Sequence, residues 1–508
     1  MDAKKIIIIP TTHWDREWYV PFNEFRAYLV LMMDKLIEIL KTDKDFTNFT
    51  LDGQVIALED YLEVKSEKED IIKKLIQEKR LSIGPFYNLP DEFLVSGESL
   101  IRNLLLGHIL GRKYGRVMKA GYIPDTFGHI AQLPQIFSGF EIPSALFMRG
   151  FGNELEENNL NMEFLWNAPG NSASVLGIHL IRGYSSAASL NTTSKNSRYN
   201  LAIGQLKRAI RKLERYIGSN VVILNNGSDH LFPQPEVSEI VKQWNEEYTD
   251  KQMEINDVEY YINEVLSTNS KLNSYEGEFR GGKYHPLLSG VFSARMWIKQ
   301  KNTKIEYLYE KYTEPLSTIT WILDKYNNFE YPSAYIWTGL KWLMKNHPHD
   351  SICGCSIDEV HEDMITRFKW AEEIGNEILT NSLIYLSKLI NINEKEKDKS
   401  ALIIFNPLPW DRTDITYFDI IIPKEYDLNK FVSQIRLTDY QNNDIEYQIY
   451  KIKEIPRYWQ EGNTTIRISF IGSIPACGYK IYYVYLKNTP TKFIKDTNSF
   501  KMNKTSLE

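Results

Sequence analysis

Three apolar runs of this 508-residue chain each stop at residues that could do chemistry. Ile6-Ile7-Ile8-Ile9-Pro10-Thr11-Thr12 leads into His13-Trp14-Asp15. Gly121-Tyr122-Ile123-Pro124 leads into Asp125 and, four residues on, His129. Val221-Val222-Ile223-Leu224-Asn225-Asn226-Gly227-Ser228 leads into Asp229-His230. An apolar run ending on a carboxylate or imidazole reads as a buried parallel strand that delivers a polar side chain to a shared rim. In β/α folds that rim lies at the carboxyl ends of the strands and is where reactions occur. His13-x-Asp15 is a short metal-ligand spacing, and Asn346-His347-Pro348-His349-Asp350 is a second His/Asp cluster with a proline fixing its turn. Taken singly, each also reads as a solvated polar loop. Asp125 and Asp229 form a candidate carboxylate pair, and a retaining glycosidase needs two carboxyl groups about 5 to 5.5 Å apart.

Competing chemistries lack their signatures. His361-Glu362-Asp363-Met364-Ile365 lacks the second histidine of a zinc protease motif. Cys353-x-Cys355 lies near His349, but two further ligands at structural-zinc spacing are missing, so the pair reads as buried thiols. Gly150-x-Gly152 follows a strand but has no dinucleotide-binding context.

The elements that must position these residues follow from periodicity. Up to about Leu266, strands alternate with helices, which predicts βαβ units and a mostly parallel sheet. Phe25, Leu29, Met32, Met33, Leu36 and Leu40 make a helical stripe, and Ser96 is a helix cap for a segment reaching Tyr114. Three helical stretches follow, near 294–326, 334–345 and 357–389, and suggest a three-helix bundle. Asn393 to Lys399 is a charged, polar run that reads as a linker. From Ala401 the reading turns to β-structure, with strands at Ile415–Ile422 and Ile481–Leu486. The expected domains are therefore 1–270, a catalytic β/α domain; 271–392, the helix bundle; 401–488, a β-rich region; and 489–508, a disordered tail.

Composition narrows the class. The net charge is −6 and the isoelectric point near 6.0, giving no basis for nucleic-acid binding. The three cysteines, Cys353, Cys355 and Cys477, exclude a disulfide framework and fit a reducing compartment. The opening apolar run is too short for a secretory signal or a membrane span, which with the cysteines predicts a cytoplasmic protein. The sequence leaves a homo-oligomer open.

Seven segments together resemble glycoside hydrolase family 38, the α-mannosidases, and most closely its bacterial branch with mannosylglycerate hydrolases. They are Thr12–Tyr19, Leu51–Gln54, Gly84–Glu92, Tyr122–His129, Asn226–His230, Gly277–Arg295 and Asn346–Met364, in the family's order. The resemblance implies a seven-stranded β/α barrel followed by the helix bundle and the start of a β-rich region. It implies that His13, Asp15, Asp125 and His349 hold one divalent metal, most often zinc. Asp125 would also be the nucleophile and Asp229 the general acid/base. Trp18 would lie against the sugar, Asp91 and Arg149 would contact substrate, and His347 would stand behind His349. The expected substrate is a mannoside or mannosylglycerate. A metal-dependent carbohydrate deacetylase is the alternative enzyme, with Asp125 as a general base. Because family members run longer, the resemblance also suggests a truncated chain, and a poorly active sugar-binding remnant as a third reading.

Overall fold

The computed structural model describes residues 3–192, 199–268, 270–326, 328–392, 399–422, 424–454 and 463–486. The expected tail lies outside the described residues, as does the expected linker apart from Lys399. The chain divides into two compact units, one of Met1–Tyr307 with Ser333–Gly375 and one of Leu308–Pro332 with Asn376–Glu508. Residues 308–332 and 376–392 of the helical stretch thus group with the β-region, apart from residues 333–375.

The larger unit holds ten strands: β1 (Lys5–Thr12), β2 (Phe49–Leu51), β3 (Leu81–Ser82), β4 (Gly121–Tyr122), β5 (Ser144–Phe147), β6 (Glu163–Asn167), β7 (Ser174–His179), β8 (Val221–Asn226), β9 (Gln252–Ile255) and β10 (Ser274–Glu276). Hydrogen bonding arranges them in two five-stranded sheets. The first runs β3-β2-β1-β8 with β9 also on β1, and every pair is parallel. The second runs β10-β6-β7-β5-β4 and is parallel except between β6 and β7. The family resemblance implies one closed ring of seven strands, and the ladders stop short of that. Between β3 and β4 the physical reason is length: the strands are two residues each, too short to carry a ladder on both sides. Isolated hydrogen bonds join the sheets instead, among them Met118 N to Ile83 O at 2.9 Å and Ala187 N to Asn225 O at 2.8 Å.

β1 is the central strand of its sheet, and its sequence explains why. Ile6, Ile7, Ile8 and Ile9 are fully buried, as expected of a parallel strand covered on both faces. Each such burial contributes on the order of 1.5 to 3 kcal/mol. β9 pairs with Lys5–Ile8 and β2 with Thr11–Thr12, and Pro10, which has no N–H to donate, falls in the gap between those partners. Helix Phe22–Thr42 buries the predicted stripe, Phe25, Leu29, Met32, Met33, Leu36 and Leu40. Ser96 caps helix Gly97–Tyr114 by accepting a hydrogen bond from Ser99 N at 2.9 Å.

The smaller unit has two three-stranded antiparallel sheets, built from β11 (Ser400–Asn406), β12 (Arg412–Ile422), β13 (Ile435–Asp439), β14 (Tyr447–Glu454), β15 (Thr464–Ile474) and β16 (Gly478–Leu486). Their orders are β11-β16-β13 and β12-β15-β14. Ile422, Ile435, Ile466 and Ile468 form one core, and Leu437, Phe470 and Tyr482 another. The opposite face carries apolar residues too: Ile415 is 57% exposed and its cross-strand partner Ile471 is 68% exposed.

Candidate active site

Every candidate residue in the larger unit sits on a loop that leaves the carboxyl end of a strand or on a segment packed over those ends. The β1 and β8 ladder continues past both strands: His13 N donates to Ser228 O at 3.2 Å and His230 N to His13 O at 2.9 Å. The extension makes a parallel bridge that sets Asp229 beside His13. Close approach requires glycine at two of these strand ends. A Cβ on Gly227 would lie 1.9 Å from Thr11 O, and one on Gly53 would lie 1.8 Å from Tyr122 O.

His13, Asp15 and His349 form one buried cluster whose donor atoms lie within 4.8 Å of one another. Asp15 Oδ1 is 3.1 Å from His13 Nε2 and 3.4 Å from His349 Nε2. Asp125 Oδ2 is 3.8 Å from His349 Nε2. The two imidazoles stack with centroids 5.2 Å apart. Each is held through its other nitrogen: His13 Nδ1 lies 3.0 Å from Asp52 Oδ2, and His349 Nδ1 lies 3.2 Å from Leu89 O. The Nε2 atoms are buried and make no hydrogen bond, even though Asp15 lies close. Two orphaned imidazole nitrogens facing carboxylates are the donor set that a divalent cation such as zinc prefers, so these residues fit a metal.

Asp125 sits against a guanidinium. Arg149 Nε and Nη2 donate to Asp125 Oδ1 at 2.8 and 2.7 Å, and Arg149 Nη1 donates to Pro286 O at 2.6 Å. Burial raises the Asp125 carboxyl above its ordinary range, against the opposing pull of Arg149, His13 and His349. Asp229 differs in its neighbours: Tyr184 OH donates to its Oδ1 at 2.7 Å. Tyr184 is held as a phenol by burial first and then by the charges of Asp125, Asp229 and Asp15.

The remaining predicted residues lie at varying removes. Asp91 is buried, its Oδ1 accepting from Phe93 N at 2.9 Å while Oδ2 has no partner. Burial pushes its carboxyl up to about 7. Trp18 is half-buried, its ring 5.0 Å from that of Tyr19. His347 lies outside the cluster, with Nε2 2.8 Å from Asn302 Oδ1, and burial lowers it to about 3, which keeps it neutral. The thiols divide: Cys353 is buried as expected, while Cys355 is exposed and lies 3.1 Å from Asp350 Oδ1.

Several side chains of the site received no role from sequence. Asp350 was visible only as part of the His/Asp cluster. Asp52 was visible only inside the segment Leu51–Gln54. Tyr184 lies in a loop after β7 without a periodic signal.

The chain matches the family description "Glycosyl hydrolases family 38 N-terminal domain" over residues 3–278 and "Alpha mannosidase middle domain" over residues 286–386. It is 35% identical over 412 residues to a "Putative mannosylglycerate hydrolase" of Halalkalibacterium halodurans, covering 78% of this chain and 44% of that one. It is 24% identical over 427 residues to the "Alpha-mannosidase" of Saccharomyces cerevisiae, covering 80% of this chain and 36% of that protein. Among solved structures, an alpha-mannosidase from Enterococcus faecalis V583 aligns with a TM-score of 0.82 at 28% identity, covering 96% of this chain and 57% of that one. The chain spans less than half the length of these two curated relatives.

Proposed function

The chain belongs to glycosyl hydrolase family 38, and on that premise we propose that its larger unit carries a metal-dependent, retaining α-mannosidase activity. The observation that carries the proposal is the meeting of His13, Asp15 and His349, with Asp125 beside them and Asp229 bridged to His13, at the ends of three strands. His13, Asp15, Asp125 and His349 would hold the cation. When bound, it supplies positive charge that keeps Asp125 ionised and a Lewis-acid contact for sugar hydroxyls.

The chain's own residues then divide the work. Arg149 fixes one oxygen of Asp125, which leaves the carboxylate oriented for attack on the anomeric carbon. Asp229 donates its proton to the leaving oxygen and afterwards takes one from the attacking water. Tyr184 holds Asp229 in place through its hydroxyl. Two carboxylates with different neighbours can thereby take opposite roles. Trp18 would offer its ring to the sugar, and Asp91 a buried polar contact. The family supports reading β1, β2, β3, β4, β5, β7 and β8 as a seven-stranded barrel with seams at β3/β4 and β7/β8, and the helical stretches expected near 294–326, 334–345 and 357–389 as a bundle. A cytoplasmic location belongs to the same proposal; among the described residues, no helix is long and apolar enough to cross a membrane.

The substrate we propose is a terminal α-mannoside, with mannosylglycerate as the specific candidate suggested by the bacterial relative's name. The test is hydrolysis of an aryl α-mannoside and of mannosylglycerate side by side, before and after chelation and on return of zinc. Loss with chelator and recovery with zinc are expected. Unchanged turnover in the chelated protein would remove the metal from the account, and no turnover of any mannoside would remove the activity.

A further inference from the structure

We propose that Asp52 is a positioning residue that fixes His13 for metal binding and makes it a stronger ligand. The inference rests on the metal reading above and extends it to a residue outside the four proposed ligands.

Asp52 is fully buried at the end of β2, and it collects four donors. Its Oδ2 lies 3.0 Å from His13 Nδ1 and accepts from Trp14 N at 3.0 Å and from Gln54 Nε2 at 2.8 Å. Its Oδ1 accepts from Gly53 N at 2.9 Å. Trp14 N, Gly53 N and Gln54 Nε2 can only donate, so both carboxyl oxygens of Asp52 serve as acceptors. An acceptor at this point favours the His13 tautomer with its proton on Nδ1, which leaves Nε2, the nitrogen turned toward Asp15, free to take a metal. That is the nitrogen left without a hydrogen bond. His349 achieves the same orientation from a neutral carbonyl, Leu89 O. The two imidazoles therefore differ: one is backed by a side-chain carboxyl group and the other by a backbone carbonyl. A carboxylate behind a ligating imidazole raises its basicity and fixes its ring.

The backbone adds an independent observation. Asp52 has φ 53°, in the left-handed region that a non-glycine residue enters at some cost. Strain of this kind persists where surrounding contacts over-determine the conformation, and it clusters at functional sites. Gln54 supplies such a contact. Its Nε2 donates both to Asp52 and to Trp14 O at 2.8 Å, tying the loop after β2 to the loop that carries His13 and Asp15.

Two variants separate charge from orientation. Asp52→Asn retains an oxygen for His13, Trp14 and Gln54 but removes the charge. Asp52→Ala removes both. Zinc affinity is measured by chelator competition, and cobalt-loaded protein gives a visible spectrum that reports ligand geometry. The expected result is zinc affinity weaker by about 10-fold in Asp52→Asn and by about 100-fold in Asp52→Ala, with a shifted cobalt spectrum. Asp52→Asn gives up the Gly53 hydrogen bond, so the metal-free variant should melt somewhat below the metal-free parent, and excess zinc should restore its mannoside hydrolysis. Parental affinity and spectrum in Asp52→Asn would overturn the proposal, as would a lower melting temperature without a change in affinity. If the parent protein binds neither zinc nor cobalt, the metal reading falls and this inference with it. If the parent binds and Asp52→Asn binds equally well, this inference alone falls.

Discussion

Asp125 and Asp229 are the same side chain in different company, and their neighbours predict different mutant behaviour. Asp125→Ala removes the proposed nucleophile and a proposed ligand, so turnover should vanish on every substrate. Asp229→Ala should slow mannosides with poor leaving groups far more than activated aryl mannosides, whose departure needs little protonation. Steady-state rates on both substrate types check this, and equal losses would argue against Asp229 as the acid. Asp91 gives a prediction about stability. Its folded carboxyl is raised to about 7 by burial, so it favours the protonated form relative to the unfolded chain. That advantage is full at low pH and is lost as pH rises through about 7, at a cost of up to about 4 kcal/mol. Asp91→Asn keeps an acceptor for Phe93 N and cannot ionise. In metal-free protein its stability relative to the parent should therefore grow between about pH 5 and about pH 8, as denaturant midpoints would report. A gap independent of pH would contradict it. Residues that end apolar runs, such as His13, Asp125 and Asp229, were legible from sequence because the run itself marks a strand. Asp52 and Tyr184 were not, since their significance lies in hydrogen bonds to residues 39 and 45 positions away.

The elements tell a similar story. β1 was readable from four consecutive isoleucines, and the start of helix Gly97–Tyr114 from its cap Ser96. β3 and β4 are too short for periodicity to reveal their pairing, and the arrangement in two sheets depends on ladders that no local pattern encodes. The expected helices fare better: Met296–Tyr307, Glu314–Leu323, Ser333–Met344 and Asp358–Leu389 fall within or close to the predicted stretches. Ser96→Ala should cost about 1 kcal/mol in unfolding free energy with no change in KM, because the cap acts on the helix end and not on the cleft. Gly227→Ala should behave differently. Its Cβ would meet Thr11 O at 1.9 Å, so β8 must shift away from β1 and carry Asp229 with it. A displacement of that order should lower kcat by about 100-fold, measurable on folded variant protein. Activity near the parent's would mean that the strand ends tolerate the shift.

At the scale of the molecule, the two units rest on different physics. The larger is built on one extensive core of buried strands and helices with a smaller cluster at Phe127, Val291 and Cys353, and the smaller joins helical segments to two three-stranded antiparallel sheets with apolar residues such as Ile415 and Ile471 on an exposed face. Their division was not legible in the sequence, because it follows from long-range contacts and separates neighbouring helical residues into different groups. Zinc should stabilise the larger unit by about 2.7 kcal/mol at 100 times its Kd. Calorimetry should show a melting temperature that climbs with zinc, and a curve indifferent to zinc would speak against a folded-state site. The most direct measurement of the central claim is covalent trapping with a fluorinated mannosyl fluoride, followed by mass spectrometry of the digested protein. The account predicts one mannosyl ester, on the peptide that contains Asp125. A protein that hydrolyses mannosides yet forms no ester, or forms it on another residue, would contradict the assignment of Asp125 as nucleophile; a protein that forms none and removes acetyl groups from a sugar would be the deacetylase instead.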